Sequence, residues 1–422
     1  MKKVLVAPFA SRIHGESYYW EIYNGLKKYL EKSGLNLTYL PVVTNQKDIQ
    51  EITEKRLDAI PLIVALTGGV SKLIQKFVIS SGYNKAILLS HGEHNSLASA
   101  ISARANLELE NVSLGVYYCS SLNSPRCTPT LDRMIRVIQA VSSVLGTRVL
   151  LICSNNSKQD AVKEFERLFE ATVETYTIES LINEIESESD GGSYADHFMC
   201  ALNKIKCSLP KDRLIEVAKL YSVLRHVTES GNYGGIAIDC FPYLETRQIT
   251  PCLSVALLNS IGIATACEGD LSSLATMMIS KSLVGTTGWI ANTSSLNDNK
   301  IHFAHCTVPL SLGEELTIVS HFESGCPYSL TGKLRKGPYT AISLSLKRNL
   351  MLVAKGYIME SGLMHPALCR TQSILEVDFN VEKLPNIAVT NHHVIVPMDV
   401  REELKDVANV LGLKYAEYSD FA

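Results

Sequence analysis

Along the first 290 residues, short apolar runs alternate with stretches whose apolar positions recur every three or four residues. "KKVLVAPF" (2–9), "AIPLIVALTGG" (59–69) and "KAILLS" (85–90) are near-continuous apolar runs, the pattern of strands buried on both faces. Between and after them, "ESYYWEIYNGLKKYLEKSG" (16–34), "VSKLIQKFVIS" (70–80) and "HNSLASAISARANLELE" (94–110) carry helical spacing, and Gly34 stands where the first of these stops. Strand alternating with helix predicts a parallel sheet covered on both sides. The block closes near residue 146.

A second α/β block begins with the strand "TRVLLICSN" (147–155) and the helix "SKQDAVKEFERLFEA" (157–171). A polar stretch, "EIESESDGGSYAD" (184–196), reads as an exposed loop or a frayed helix end. The block returns with the strand "GGIAIDCFP" (234–242), a helix "CLSVALLNSIG" (252–262), the strand "IATAC" (263–267) and a helix from Leu271. Met277 and Met278 fall on the buried side of that last helix.

From about residue 287 the texture changes to short β-rich segments broken by Gly, Pro and Asn. They are "HFAHCTVPLSL", "ELTIVSHFES", "PYSLTGKL", "YTAISLSL", "NLMLVAKGYIM", "SILEVDF" and "NIAVTNHHVIVP". Such spacing predicts an antiparallel barrel or sandwich. The closing stretch "DVREELKDVANVLG" is a helix, with Asp399 and Glu402 spaced as a capping box, Val400, Leu404, Val407 and Leu411 on one face, and Gly412 as the stop. The expected division is 1–146, 147–286 and 287–422.

Composition removes several function classes. The formal charge of −3 leaves no basic excess for nucleic acid or anionic lipid. No run approaches the roughly 18 uninterrupted apolar residues of a membrane span, and "MKKVLVAPFA" stops at Pro8, too soon for a signal peptide. The 11 cysteines are scattered without a C-x-x-C pair, and Cys153, Cys240 and Cys267 sit in apolar runs. Reduced, buried thiols in a cytoplasmic protein fit this better than a disulfide framework or a structural zinc site.

Candidate chemistry concentrates in "IATACEGDLSSLATMM" (263–278). A strand of small residues ends on Glu268, and Asp270 follows as N-cap of the helix carrying Leu271, Leu274, Met277 and Met278. In an open α/β sheet ligands bind outside the carboxyl ends of strands, so an unpaired acid there needs a cation, a partner or a task. Downstream partners are Asn292 of "WIANTSS", His302 and His305 of "HFAHCTVP", and His392 and His393 of "TNHHVIVP". In each histidine pair the two members fall on opposite faces of a strand, so only one of each can reach a common site. Oxygen donors joined by imidazole suit Mn²⁺ or a similar divalent cation. "LTGG" lacks the spacing of a dinucleotide or nucleotide loop. In "SHGEHNSLAS", His91, His94 and Asn95 are candidate ligand-facing residues, with a polar loop capping a helix as the alternative.

The order of "TGGVSKLI", "HNSLASA", "DCFPY…TPCLSVALLNSIGIATACEGDLSSLATMM", "FAHCTVP", "HFESG" and "TNHHVIVPMD" resembles the L-fucose isomerase / L-arabinose isomerase family, most of all its shorter fucose isomerase-like branch. The resemblance implies two Rossmann-like α/β domains and a C-terminal β-barrel, and a homo-oligomer, trimer or hexamer. It implies interconversion of an aldose and a ketose through a cis-enediol at a Mn²⁺ site. Carried over by position, Glu268 is ligand and acid/base, His305 and His392 are ligands, and His393 is the fallback for His392. The family's second carboxylate falls on Asn292, an amide that can ligate but cannot act as a base. Asp239, Asp270 and Glu323 are the carboxylates available to replace it. Asp239, Asp270, His94, Asn95 and His393 are the implied sugar contacts. The competing expectation is a non-catalytic sugar-binding protein that keeps the fold; a third is another enzyme using Glu268 with a new partner.

Overall fold

The computed structural model describes residues 2–53, 58–154, 158–188, 193–203 and 205–421. Contacts divide the chain into two compact units, 1–145 with 402–414, and 146–401 with 415–422.

The first unit is a five-stranded parallel sheet in the order Leu37–Tyr39, Lys3–Phe9, Ala59–Ala65, Lys85–His91, Ser113–Cys119. All seven residues of Ala59–Ala65 are buried, as expected of a central strand covered on both faces. The helix Glu16–Leu30 buries Tyr19, Ile22, Tyr23, Leu26 and Leu30, a stripe at helical spacing. The strand Ser113–Cys119 and the helix Thr128–Val144 complete the unit. The helix Arg401–Leu411 lends most of its length to this unit, where Arg133 and Arg136 pair with Asp406 (3.0 Å) and Glu403 (2.9 Å). The expected capping box is absent: Asp399 accepts from the Arg401 backbone and guanidinium, while Glu402 lies 3.7 Å from Arg133.

The thiols also depart from expectation in one place. Cys119 and Cys127 form a disulfide, and the other described cysteines are free. The strand end and the short turn Pro125–Cys127 bring their Cα atoms to 5.3 Å, within bonding range, a proximity that a spacing of eight residues does not reveal.

The second unit holds a four-stranded parallel sheet, Ala264–Ala266, Gly235–Ile238, Arg148–Cys153, Thr172–Thr177, and a closed barrel. Six antiparallel strands form the barrel in the order Gly337–Ser345, His392–Pro397, Trp289–Asn297, Lys300–His305, Thr371–Val377, Leu350–Gly362. The last of these pairs back with the first, and closure leaves no open edge. Trp289 lies fully buried and donates from Nε1 to the Thr307 carbonyl at 2.7 Å. Met277 and Met278 are core.

Three local differences have plain causes. The strand expected over 386–397 starts only at His392, because Pro385 opens a short helix, Leu384–Ile387. "HFES" is a turn rather than strand, with the His321 ring Nδ1 serving the Ser324 backbone. The polar stretch at 184–196 begins as the end of helix Ile178–Ser187 and ends in helix Ala195–Leu202, while 189–192 lie outside the described residues.

Candidate metal centre

The order of the second sheet reverses between Arg148–Cys153 and Gly235–Ile238, the strands formed first and third along the chain. Ligands bind α/β sheets at such switch points, outside the carboxyl ends of the strands. Three polar residues emerge there: Lys158 after the first strand, Asp239 after Ile238, and Glu268 after Ala266. Lys158 Nζ donates to the Glu268 carbonyl at 3.0 Å.

The turn after Ala266 sets the direction of the Glu268 side chain. Glu268 adopts φ +58°, unusual for a residue with a Cβ, and Gly269 follows at +60°. A Cβ on Gly269 would lie 3.2 Å from Lys158 Cε, so glycine suits both the backbone and the space. Asp270 then caps the helix Leu271–Val284, its Oδ1 accepting from the backbone of Ser272 (2.9 Å) and Ser273 (3.1 Å).

Two barrel histidines meet this turn. His305 Nε2 lies 3.7 Å and His392 Nε2 3.5 Å from Glu268 Oε1. One ligand atom from each of the three residues lies within 4.8 Å of the others. His392 Nε2 and both ring nitrogens of His305 are buried without a hydrogen-bond partner. Leaving buried nitrogens unpaired is costly, and the convergence of the two Nε2 atoms on one carboxylate oxygen makes these three residues a candidate cation site. Two atoms each about 2.1 Å from one ion lie roughly 3.0–3.4 Å apart at right or tetrahedral angles, so the 3.7 and 3.5 Å separations here are a few tenths of an ångström wider than a loaded site would need. Glu268 is the most open member, its side chain 33% exposed against 6% for His305 and 4% for His392.

The electrostatics agree with a site poised for positive charge. Burial raises the Glu268 carboxyl, but the facing His305 and His392 rings outweigh it and hold the group well below the usual range. For His392, burial disfavours the cation, yet Asp270 and Glu268 prevail and lift it to about 9. Asp239 is pushed up, chiefly by burial and further by Glu268, against the pull of Lys158. Thus two acids at neighbouring strand ends are moved in opposite directions.

No protein-family profile matches the chain. It is similar to a sulfoquinovose isomerase from Clostridium sp. (strain MSTE9), 32% identical over 91 residues, 21% of this chain. The match spans 20% of that relative's length.

The remaining candidates fall in several places. His393, on the opposite face of its strand from His392, is 1% exposed, and its Nε2 lies 2.8 Å from Tyr418 Oη. Its Nδ1 lies 3.2 Å from Thr293 Oγ1, so both ring nitrogens have neighbours within the fold, and burial pulls the ring down to about 4. Asn292 stands directly across the ladder from His392, but its Oδ1 accepts from Asn391 Nδ2 at 2.7 Å. Asp270 Oδ2 lies 3.0 Å from His392 Nδ1. His302 lines a separate cavity on the barrel with Glu360 and His365, and Glu323 is exposed in its turn.

In the first unit, His91 is buried with Nε2 2.9 Å from the Leu66 carbonyl, a satisfied core residue. His94 stacks on Tyr18 with ring centroids 3.6 Å apart. Asn95 lines a cleft of about 490 Å³ with Ser11, His14 and Gly68, beyond the carboxyl ends of that unit's strands. Among the described residues no helix is long and apolar enough to cross a membrane.

Sequence reasoning missed Lys158, which sits in an unremarkable helix entry and is recruited only by the sheet order. It also missed that Asp270 reaches a barrel histidine 122 positions away.

Proposed function

We propose that this protein is a divalent-metal-dependent aldose–ketose isomerase. The observation that carries the reading is the convergence of Glu268, His305 and His392, with three buried imidazole nitrogens lacking any partner. Glu268, His305 and His392 would hold the cation, and the mixed oxygen and nitrogen donors favour Mn²⁺. When bound, the ion polarises adjacent sugar oxygens and so acidifies the intervening C–H.

The chain's own residues supply the rest. Glu268, the exposed member, would take the C2 proton and Asp239 would deliver one to C1 of the cis-enediol, while the O2 hydroxyl proton passes to O1 and solvent resets the two carboxyls, so that aldose and ketose carry the same protons. Asp239 is the second carboxyl in place of the family's acid at Asn292: burial raises it while the two histidines lower Glu268, the opposed shifts that a donor and acceptor pair calls for. Lys158 fixes the turn bearing Glu268 through its carbonyl. The sulfoquinovose isomerase match adds a sulfonated aldose to L-fucose and L-arabinose as substrates to be tried. The family resemblance implies a homo-oligomer, trimer or hexamer, and the scattered, mostly free cysteines suit a cytoplasmic location.

The pairing of Asn292 with Asn391 favours one competing reading, a sugar binder that has lost isomerisation. Solvent exchange of the substrate's C2 hydrogen with Mn²⁺ present separates the two. Metal-dependent exchange with any of the three sugars supports the isomerase; binding without exchange supports the binder.

A further inference from the structure

Asp270 does more than begin a helix. Its Oδ1 serves two backbone amides, while Oδ2 accepts from Ser273 Oγ at 2.6 Å and faces His392 Nδ1 at 3.0 Å. The carboxylate is therefore held from three sides by its own helix entry, leaving one lone-pair direction for the imidazole. His392 is 4% exposed, and Nε2, its other nitrogen, meets no partner and points toward Glu268 Oε1 at 3.5 Å.

A neutral imidazole carries one N–H, and a carboxylate can only accept. The shared hydrogen must therefore reside on Nδ1, which leaves the Nε2 lone pair aimed at the candidate metal centre. We infer that Asp270 is a positioning residue whose helix cap and hydrogen bond to His392 together fix the tautomer in which Nε2 is a ligand. The inference rests on the reading of Glu268, His305 and His392 as a metal site, and it assigns Asp270 no contact with substrate or ion. The device is economical in space: the residue two after Glu268 also orients a barrel strand's donor, so the α/β turn and the barrel are aligned by one side chain.

Asp270→Asn tests this because it separates the two duties. Asparagine caps helices about as well as aspartate, so Oδ1 retains the backbone bonds. Its amide nitrogen then faces His392 Nδ1 as a donor, which moves the ring proton to Nε2 and blocks the lone pair. At about pH 9.5, where the wild-type ring is largely neutral and little proton competition remains, Mn²⁺ affinity, read from the free-ion electron paramagnetic resonance signal, is expected to fall about 10–100-fold with the circular dichroism spectrum unchanged. Asp270→Ser keeps a capping oxygen but is too short to reach His392, and it should lose affinity similarly. Nitrogen NMR of the metal-free wild type at alkaline pH, where the ring is neutral, should show His392 protonated at Nδ1.

The outcomes are distinct. A wild type that fails to bind Mn²⁺ refutes the metal reading, and the NMR spectrum still decides the tautomer. Wild-type binding with affinity retained within about twofold in both folded variants overturns the inference, as does a His392 protonated at Nε2. If Asp270→Asn does not fold, the serine variant and the wild-type spectrum decide.

Discussion

Loading the candidate metal centre should expel a proton, and the size of the effect follows from the His392 environment. Burial alone would favour the neutral ring, but the carboxylates of Asp270 and Glu268 raise it to about 9. A cation needs the Nε2 lone pair, so at pH 7 it competes with a proton present on about 99 of 100 molecules. Apparent affinity is then reduced about 100-fold at pH 7 and about tenfold at pH 8, relative to the neutral ring. A plot of log affinity against pH should rise with a slope near one between about pH 6.5 and 8.5 and flatten above about 9. Titration calorimetry in buffers of different ionisation enthalpy gives the proton count directly, about one released per Mn²⁺ at pH 7. A flat affinity profile across that window, or no proton released, would refute the argument, because His392 would then already be neutral or would not be a ligand.

The metal-free fold should show the opposite trend. A group raised on folding contributes stability that is complete below its unfolded value, about 6.5, and is lost as pH rises through about 9. The melting temperature of the metal-free protein should therefore fall across pH 6.5–9.5, while saturating Mn²⁺ should abolish the fall. On the acid side, Glu268 and Asp270 are both lowered on folding, so their contribution is present above the ordinary carboxyl range and lost as pH drops through their folded values. Glu268→Gln should abolish C2 hydrogen exchange while leaving the circular dichroism spectrum unchanged; undiminished exchange would remove Glu268 from the chemistry. His393→Ala should cost about 2–4 kcal/mol in denaturant unfolding, since it leaves a cavity and strands the buried Tyr418 hydroxyl, yet leave Mn²⁺ affinity within twofold. Gly269→Ala, forced to φ +60° with its Cβ 3.2 Å from Lys158, should destabilise by about 1 kcal/mol or more.

Local pattern determined a good deal. Apolar runs such as 59–65 could only be strands covered on both faces, and the alternating blocks could only build parallel sheets. The change of period after residue 286 announced an antiparallel structure, and the structure closes it as a six-stranded barrel. An acid two residues past a small-residue strand was recognisable as a strand-end carboxylate, and the parity of "HH" showed that only one of His392 and His393 could face any given site. Which one was beyond the sequence, because parity fixes opposition and not direction. The barrel register decided it, turning His392 toward Glu268 and His393 toward Tyr418.

The same reason separates the other successes from the misses. Asp270 as a cap depends on residues two and three positions on, and local sequence carries that information. Its bond to His392, the Lys158 link to the Glu268 carbonyl, the Cys119–Cys127 bond and the helix 401–411 joining the first unit all depend on where distant segments are laid. Sequence periodicity encodes which face of an element is apolar; it does not encode which neighbour that face meets. The composition and spacing of this chain determined its layers and the acid at the strand end, and only the packed sheet order and barrel closure decided which nitrogens that acid would meet.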